Sequence, residues 1–97
     1  MASGEITEGG ISPLGNEAML KKAKKVVVDY YASKFESNYI AENDVFIVWF
    51  CKTLQNWKAL VSTVAGDGMY FEVTYNGDKQ ETYLDVYKKW ENVRIVD

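Results

Sequence analysis

The chain has 97 residues, of which 47% are hydrophobic and 14% aromatic, too apolar for a disordered segment and suited to one domain with a single core. Lys and Arg number 11 against 14 Asp and Glu, a net charge of −3, which argues against a broadly basic nucleic-acid binder but leaves room for a local basic face. With no histidine and one cysteine, the chain excludes Ser-His-Asp and Cys-His nucleophiles, an intramolecular disulfide and a cysteine-built zinc site.

Residues 1–15 hold four of the seven glycines and the only proline, and read as a flexible tail preceding a single domain over 16–97. This N-terminus is acidic and Gly-rich where a secretory signal is basic and then apolar. The longest apolar run, Val45–Cys51, is seven residues, against about 20 for a membrane-spanning helix. These features predict a cytoplasmic protein with no membrane partner.

The segment Asn16–Ser37 predicts an amphipathic helix, with Asn16 as N-cap and a stop at Ser37-Asn38. At 100° per residue, Met19, Ala23, Val26, Val27, Tyr30 and Tyr31 gather on one side. Lys21, Lys22 and Lys25 fall on the other, and the run Lys21, Lys22, Lys24, Lys25 is the chain's one basic cluster. It reads chiefly as a solvated helix face, with Lys25 and Asp29 spaced to pair, and alternatively as a footprint for nucleic acid or an acidic partner.

Three strands are expected next. In Val45–Cys51, strict alternation puts Val45, Ile47, Trp49 and Cys51 on one face and Phe46, Val48 and Phe50 on the other, a pattern for a strand covered on both sides. Trp49 is then core, and Cys51 a buried, inert thiol. Trp57–Val64 presents Trp57, Ala59, Val61 and Thr63 together, with Trp57 half exposed at the strand start. After the Ala65–Gly68 turn, Met69, Phe71, Val73 and Tyr75 point inward and Tyr70, Glu72 and Thr74 outward.

Asn76-Gly77 is the strongest hairpin signal in the chain. A two-residue turn would set Glu72 against Glu81, so a four-residue Asn76–Lys79 loop pairing Val73 with Thr82 and Phe71 with Leu84 is preferred. Beyond it, Thr82 and Asp85 have capping-box spacing, and Tyr83, Val86, Tyr87 and Trp90 recur at helical intervals. A short helix over 82–91 follows, with an extra edge strand at Val93–Val96 as an option. The expected fold is thus α+β: an N-terminal amphipathic helix, a three-stranded antiparallel sheet and a short C-terminal helix.

No catalytic residue, metal site or cofactor emerges. Glu72 and Glu81 read as solvated charges, Asp67 and Asp78 as turn residues, and neither GxGxxG nor GxxxxGK[ST] occurs. The aromatics Trp57, Tyr70, Tyr83, Tyr87 and Trp90 are either core or an exposed partner surface, since aromatic residues anchor protein interfaces.

The stretches VWFCKTLQNWKALVSTV and DGMYFEVTYNGDKQETYLDVYKKWENV resemble a family of small proteins of unassigned activity encoded by phages and prophages of Gram-positive bacteria. The resemblance runs from about Leu20 to the C-terminus. It implies a phage-related origin and the cytoplasm of a bacterial host, and carries over no catalytic or binding residues. The expected function is a non-catalytic accessory protein that binds a host or phage protein, or itself. The alternative is a small nucleic-acid-binding module of α-β-β-β-α order, as in double-stranded-RNA-binding domains, using the basic face of the first helix. Against it, the start of the expected final helix, Glu81–Asp85, is acidic where such a module meets phosphates.

Overall fold

The computed structural model of the chain describes residues 13–35 and 40–97. Helix α1, Pro13–Lys34, is followed by a 3-10 turn at Glu42–Asp44 and four strands: β1 Val45–Thr53, β2 Asn56–Thr63, β3 Met69–Asn76 and β4 Glu81–Lys88. The strands form one antiparallel meander in the order β1-β2-β3-β4. Of the expected tail over 1–15, residues 1–12 lie outside the described residues, as does the helix stop at Ser37-Asn38, while residues 13–15 belong to α1.

The α+β class holds, but two parts of the expected fold are corrected. The sheet has four strands rather than three, and the segment expected as a C-terminal helix is β4. Its helical spacing coexists with clean alternation: Thr82, Leu84 and Val86 on one face, Tyr83, Asp85 and Tyr87 on the other. Half of its residues are β-branched or tyrosine, and it can pair with β3 along its whole length. Eight continuous pairs outweigh an isolated short helix, which is marginal on its own. Residues 89–97, where an edge strand was an option, have no regular structure and are exposed throughout.

Helix α1 also starts earlier than expected, so Asn16 sits inside its first turn and is not the N-cap. Pro13 suits the first helical position, where its missing N–H would be unpaired in any case. The buried stripe is Ala23, Val27 and Tyr31, four residues apart, with Met19, Val26 and Tyr30 packed beside it. The helix lies over β1, β2 and β3. There Val45, Trp57, Ala59, Val61, Phe71 and Val73 complete the core. Tyr31 and Phe71 meet edge to face, with ring centroids 5.6 Å apart.

Strand β1 carries a bulge. Ile47 pairs with Val61 and Trp49 with Leu60, so Val48 is an extra residue opposite no partner. Side chains alternate across a strand, and one inserted residue reverses the phase of everything after it. Phe50 therefore joins Val45 and Ile47 on the helix side and packs on Trp57 at a centroid distance of 5.9 Å. Trp49 and Cys51 turn to the opposite side.

The β3–β4 loop has four residues, Gly77–Gln80, and pairs Asn76 with Glu81, Val73 with Leu84 and Phe71 with Val86. This is two residues further along β4 than the expected Asn76–Lys79 loop gives, and an even shift keeps each face intact. Asn76 Oδ1 closes the turn by accepting from the backbone N–H groups of Asp78 and Lys79 at 3.0 and 3.2 Å. Gly77 has a different reason to be glycine. A Cβ there would run into the Gln55 carbonyl oxygen and side chain, and its N–H donates to Asn56 Oδ1 at 2.7 Å.

Candidate interaction surface

The helix covers one face of the sheet, and among the described residues the other face is bare. On the bare face β1 contributes Phe46 and, because of the bulge, Trp49 and Cys51. Lys58, Leu60 and Ser62 come from β2, Tyr70, Glu72 and Thr74 from β3, and Tyr83, Asp85 and Tyr87 from β4. Phe46, Trp49, Tyr70, Tyr83 and Tyr87 are all exposed by 40–49%. Half-exposed aromatics on a regular sheet give a flat apolar surface at low conformational cost, since each ring has only two side-chain torsions.

Two features order this face. Tyr70 and Tyr87 are directly paired, and their rings stack with centroids 5.1 Å apart and planes 12° from parallel. Beside them Glu72 is opposite Asp85, two like charges in register. Lys58 Nζ reaches Glu72 Oε1 at 3.7 Å, and among the described residues Asp85 makes no ion pair. The Tyr87 hydroxyl donates to Glu72 Oε1 at 3.5 Å. The Glu72 charge, then burial and Asp85, raise the Tyr87 pKa, while a hydrogen bond to Glu81 raises that of Tyr83.

Of the five aromatics expected at a partner surface, the structure brings three together: Tyr70, Tyr83 and Tyr87. Trp57 is on the opposite face, 4% exposed, stacked on Tyr75 at 5.8 Å. Trp90 lies beyond the end of β4 and is 95% exposed. The expectations for the two strand tryptophans are thus reversed, Trp49 being surface and Trp57 core. Cys51, expected to be buried, is exposed. Sequence reasoning missed Phe46 and Trp49, and the bulge that exposes Trp49 follows from pairing with β2, with no glycine or proline to mark it.

The basic cluster sits on α1, on the other side of the sheet from the bare face. Lys25 is paired to Asp29 at 2.8 Å, and Lys22 Nζ lies 4.6 Å from the centre of the Tyr75 ring. Lys21 and Lys25 are exposed and Lys24 is half-buried. Glu72 and Glu81, considered as a carboxylate pair, do not meet: Glu81 is opposite Asn76.

An open cavity of about 250 Å³ lies at the β2–β3 loop, lined by Ser62, Thr63, Asp67, Met69, Tyr70 and Lys89. Its carboxylate is engaged structurally. Asp67 accepts from the Tyr31 hydroxyl at 2.5 Å and from the Met69 N–H at 3.0 Å, fastening the loop to α1. Burial, reinforced by that hydrogen bond, pushes the Tyr31 pKa up to about 12. Among the described residues no three His, Cys, Asp or Glu side chains converge as metal ligands, and no helix is long and apolar enough to cross a membrane.

A family profile matches residues 20–97, which takes in most of α1 and the whole sheet, the bare face included. The chain belongs to the family of unknown function DUF6275. No curated protein and no solved structure matches it. The DUF6275 match begins inside α1 and runs through Trp90 to Asp97, so the exposed C-terminal segment is part of the family's pattern.

Proposed function

We propose that this protein works without catalysis, by binding another protein through the bare aromatic face of its sheet. The observation that carries this reading is that five aromatic side chains, Phe46, Trp49, Tyr70, Tyr83 and Tyr87, share one face that no element among the described residues covers. Exposed apolar patches on a small domain mark interaction sites, and aromatic residues dominate the energetics of such sites. The resemblance of its sequence to phage and prophage proteins supports an accessory role in the cytoplasm of a Gram-positive host, with a host or phage protein or a second copy as partner.

Nucleic-acid binding is the weaker reading. The α-β-β-β-α order that suggested it is absent, because the last element is a strand. The aromatics on which bases would stack share their face with Glu72, Asp85 and Glu81, whose charge opposes phosphate. The lysine cluster of α1 is on the other side of the sheet, and Lys58 on this face lies close to Glu72.

The test is affinity capture from a Gram-positive host lysate, with and without nuclease, comparing the natural chain with Trp49→Lys. A protein retained after nuclease by the natural chain and lost with Trp49→Lys is the expected result. The same proteins captured by both would move the interaction away from this face. Retention of nucleic acid alone, lost on adding salt, would replace the reading with the nucleic-acid one.

A further inference from the structure

The chain carries a second unpartnered apolar element besides the bare face. After Lys89, whose N–H donates to the Gly68 carbonyl at 2.7 Å, the last eight residues leave the sheet with every side chain exposed. Trp90 is 95% exposed, Val93 64%, Ile95 79% and Val96 77%. A tryptophan and three β-branched residues within seven positions are costly to hold in water, and nothing among the described residues buries them.

We infer that the occupant of the bare face is a second copy of this chain, which lays its C-terminal arm, Trp90–Val96, across the sheet while receiving the partner's arm in return. The inference rests on the reading of the bare face as an interaction surface, and three observations carry it further.

The first is reach. The arm rises from the end of β4 beside Tyr87, and seven extended residues span about 23 Å at ~3.3 Å each. The four strands of a sheet, ~4.8 Å apart, measure about 14 Å from first to last. One arm can therefore cross a partner's sheet from Tyr87 and Tyr70 on β4 and β3 to Trp49 and Phe46 on β1.

The second is charge. The bare face bears Glu72 opposite Asp85, with Lys58 close to Glu72 only. The arm bears Arg94 between Val93 and Ile95, and Glu91 three positions before it. A guanidinium can fork onto a carboxylate pair and lie flat on a tyrosine ring, and Tyr70 and Tyr87 flank that pair. Arg94 with its apolar neighbours on the arm matches the two anions with their aromatic neighbours on the sheet, while Glu91 lies at the start of the arm, one residue after Trp90.

The third is area. Trp90 and the three aliphatic side chains of one arm offer on the order of 400 Å² of apolar surface, taking aromatic and aliphatic side chains at their usual size. Each arm covers a similar area of the receiving sheet, so two reciprocal crossings bury about 1,600 Å², the size of a stable, specific interface. A single folded-back arm would gain half of that. A two-fold exchange of like arms is the ordinary closed symmetry of small homodimers.

Sedimentation equilibrium on the full chain between about 5 and 200 µM tests this, with three variants: deletion of residues 90–97, Trp49→Lys and Arg94→Glu. The arm makes no core contact and Trp49 is half exposed, so all three should still unfold cooperatively, at the temperature the natural chain shows when diluted to monomer. The expected result is a species of twice the 11.1 kDa chain mass for the natural protein. The deletion and Trp49→Lys should be monomeric, and Arg94→Glu should weaken association at least ~10-fold, with recovery when Asp85→Lys is added. A natural chain that stays monomeric throughout overturns the inference and leaves the bare face to a different partner. A deletion variant that still dimerises while Trp49→Lys does not removes the arm but keeps the face. Dimers in both variants remove the arm and place self-association elsewhere.

Discussion

Tyr70 and Tyr87 face each other across β3 and β4 with rings 5.1 Å apart and nearly parallel, on the side of the sheet that α1 does not cover. Stacked cross-strand tyrosines stabilise a hairpin, yet each leaves about 40% of its surface in water. A double-mutant cycle with Tyr70→Ala and Tyr87→Ala, read by urea unfolding, should give a coupling of about 0.5–1.5 kcal/mol. Coupling near zero would mean that the pair is held in place by something other than its own contact.

The two strand tryptophans should separate cleanly in a stability measurement. Trp57 is buried between Phe50 and Tyr75, and truncating a buried tryptophan to alanine costs about 3–5 kcal/mol. Trp49 is half exposed on the bare face, so Trp49→Lys should cost less than about 1 kcal/mol. Urea unfolding of the two variants checks this. Equal losses would put Trp49 back in the core and remove it from any partner surface.

The hairpin ends make a paired prediction. Gly77 is pressed against the Gln55 carbonyl, so Gly77→Ala should destabilise by about 1–3 kcal/mol, the usual cost of overpacking a tight contact. Leu54 has φ 56°, a left-handed conformation that branched apolar residues avoid, and its side chain is 77% exposed. Leu54→Asn should therefore raise the unfolding midpoint, with a gain of up to ~1 kcal/mol. A loss with Leu54→Asn would show that the leucine makes a contact of its own.

Alkaline titration of stability should report the Tyr31–Asp67 bond. The folded pKa of Tyr31 is raised to about 12 from an ordinary value of 10.0. Below pH 10 the hydroxyl is protonated in both folded and unfolded chains, and its contribution to stability is complete. Between pH 10 and 12 the unfolded chain releases the proton first, so stability falls with rising pH and the contribution is gone above the folded pKa. Chemical unfolding across this range should show that descent in the natural chain and a shallower one in Tyr31→Phe. At neutral pH the same substitution should cost about 1 kcal/mol for the lost hydrogen bond. An unchanged alkaline descent in Tyr31→Phe would assign it to other tyrosines.

Much of the fold was legible in the sequence because its signals are local. The apolar stripe Ala23, Val27, Tyr31 recurs at helical spacing, and Trp57, Ala59, Val61 and Phe71, Val73 alternate as strands do. What misled was settled by pairing at a distance. The 82–88 segment satisfies helical and strand periods alike, and its choice depends on eight partners offered by β3. The faces of Trp49 and Phe50 depend on a bulge defined only against β2. Of the candidate surface, Tyr70 was placed correctly from its own strand's alternation. Tyr83 and Tyr87 were named on a helix and are exposed on a strand instead.

The bulge at Val48 makes the character of this surface a matter of counting. Three base pairs encode that residue, and their in-frame loss would let β1 pair with β2 without interruption while Trp49 and Cys51 kept their outward side. Were Val48 instead taken into the ladder, so that it and not Trp49 stood opposite Leu60, Trp49 and Cys51 would swing beneath the helix, and Phe50 and Lys52 would emerge in their place. One residue counted in or out of the pairing turns half a strand over, trading a tryptophan and a thiol on the outer face for a phenylalanine and a lysine.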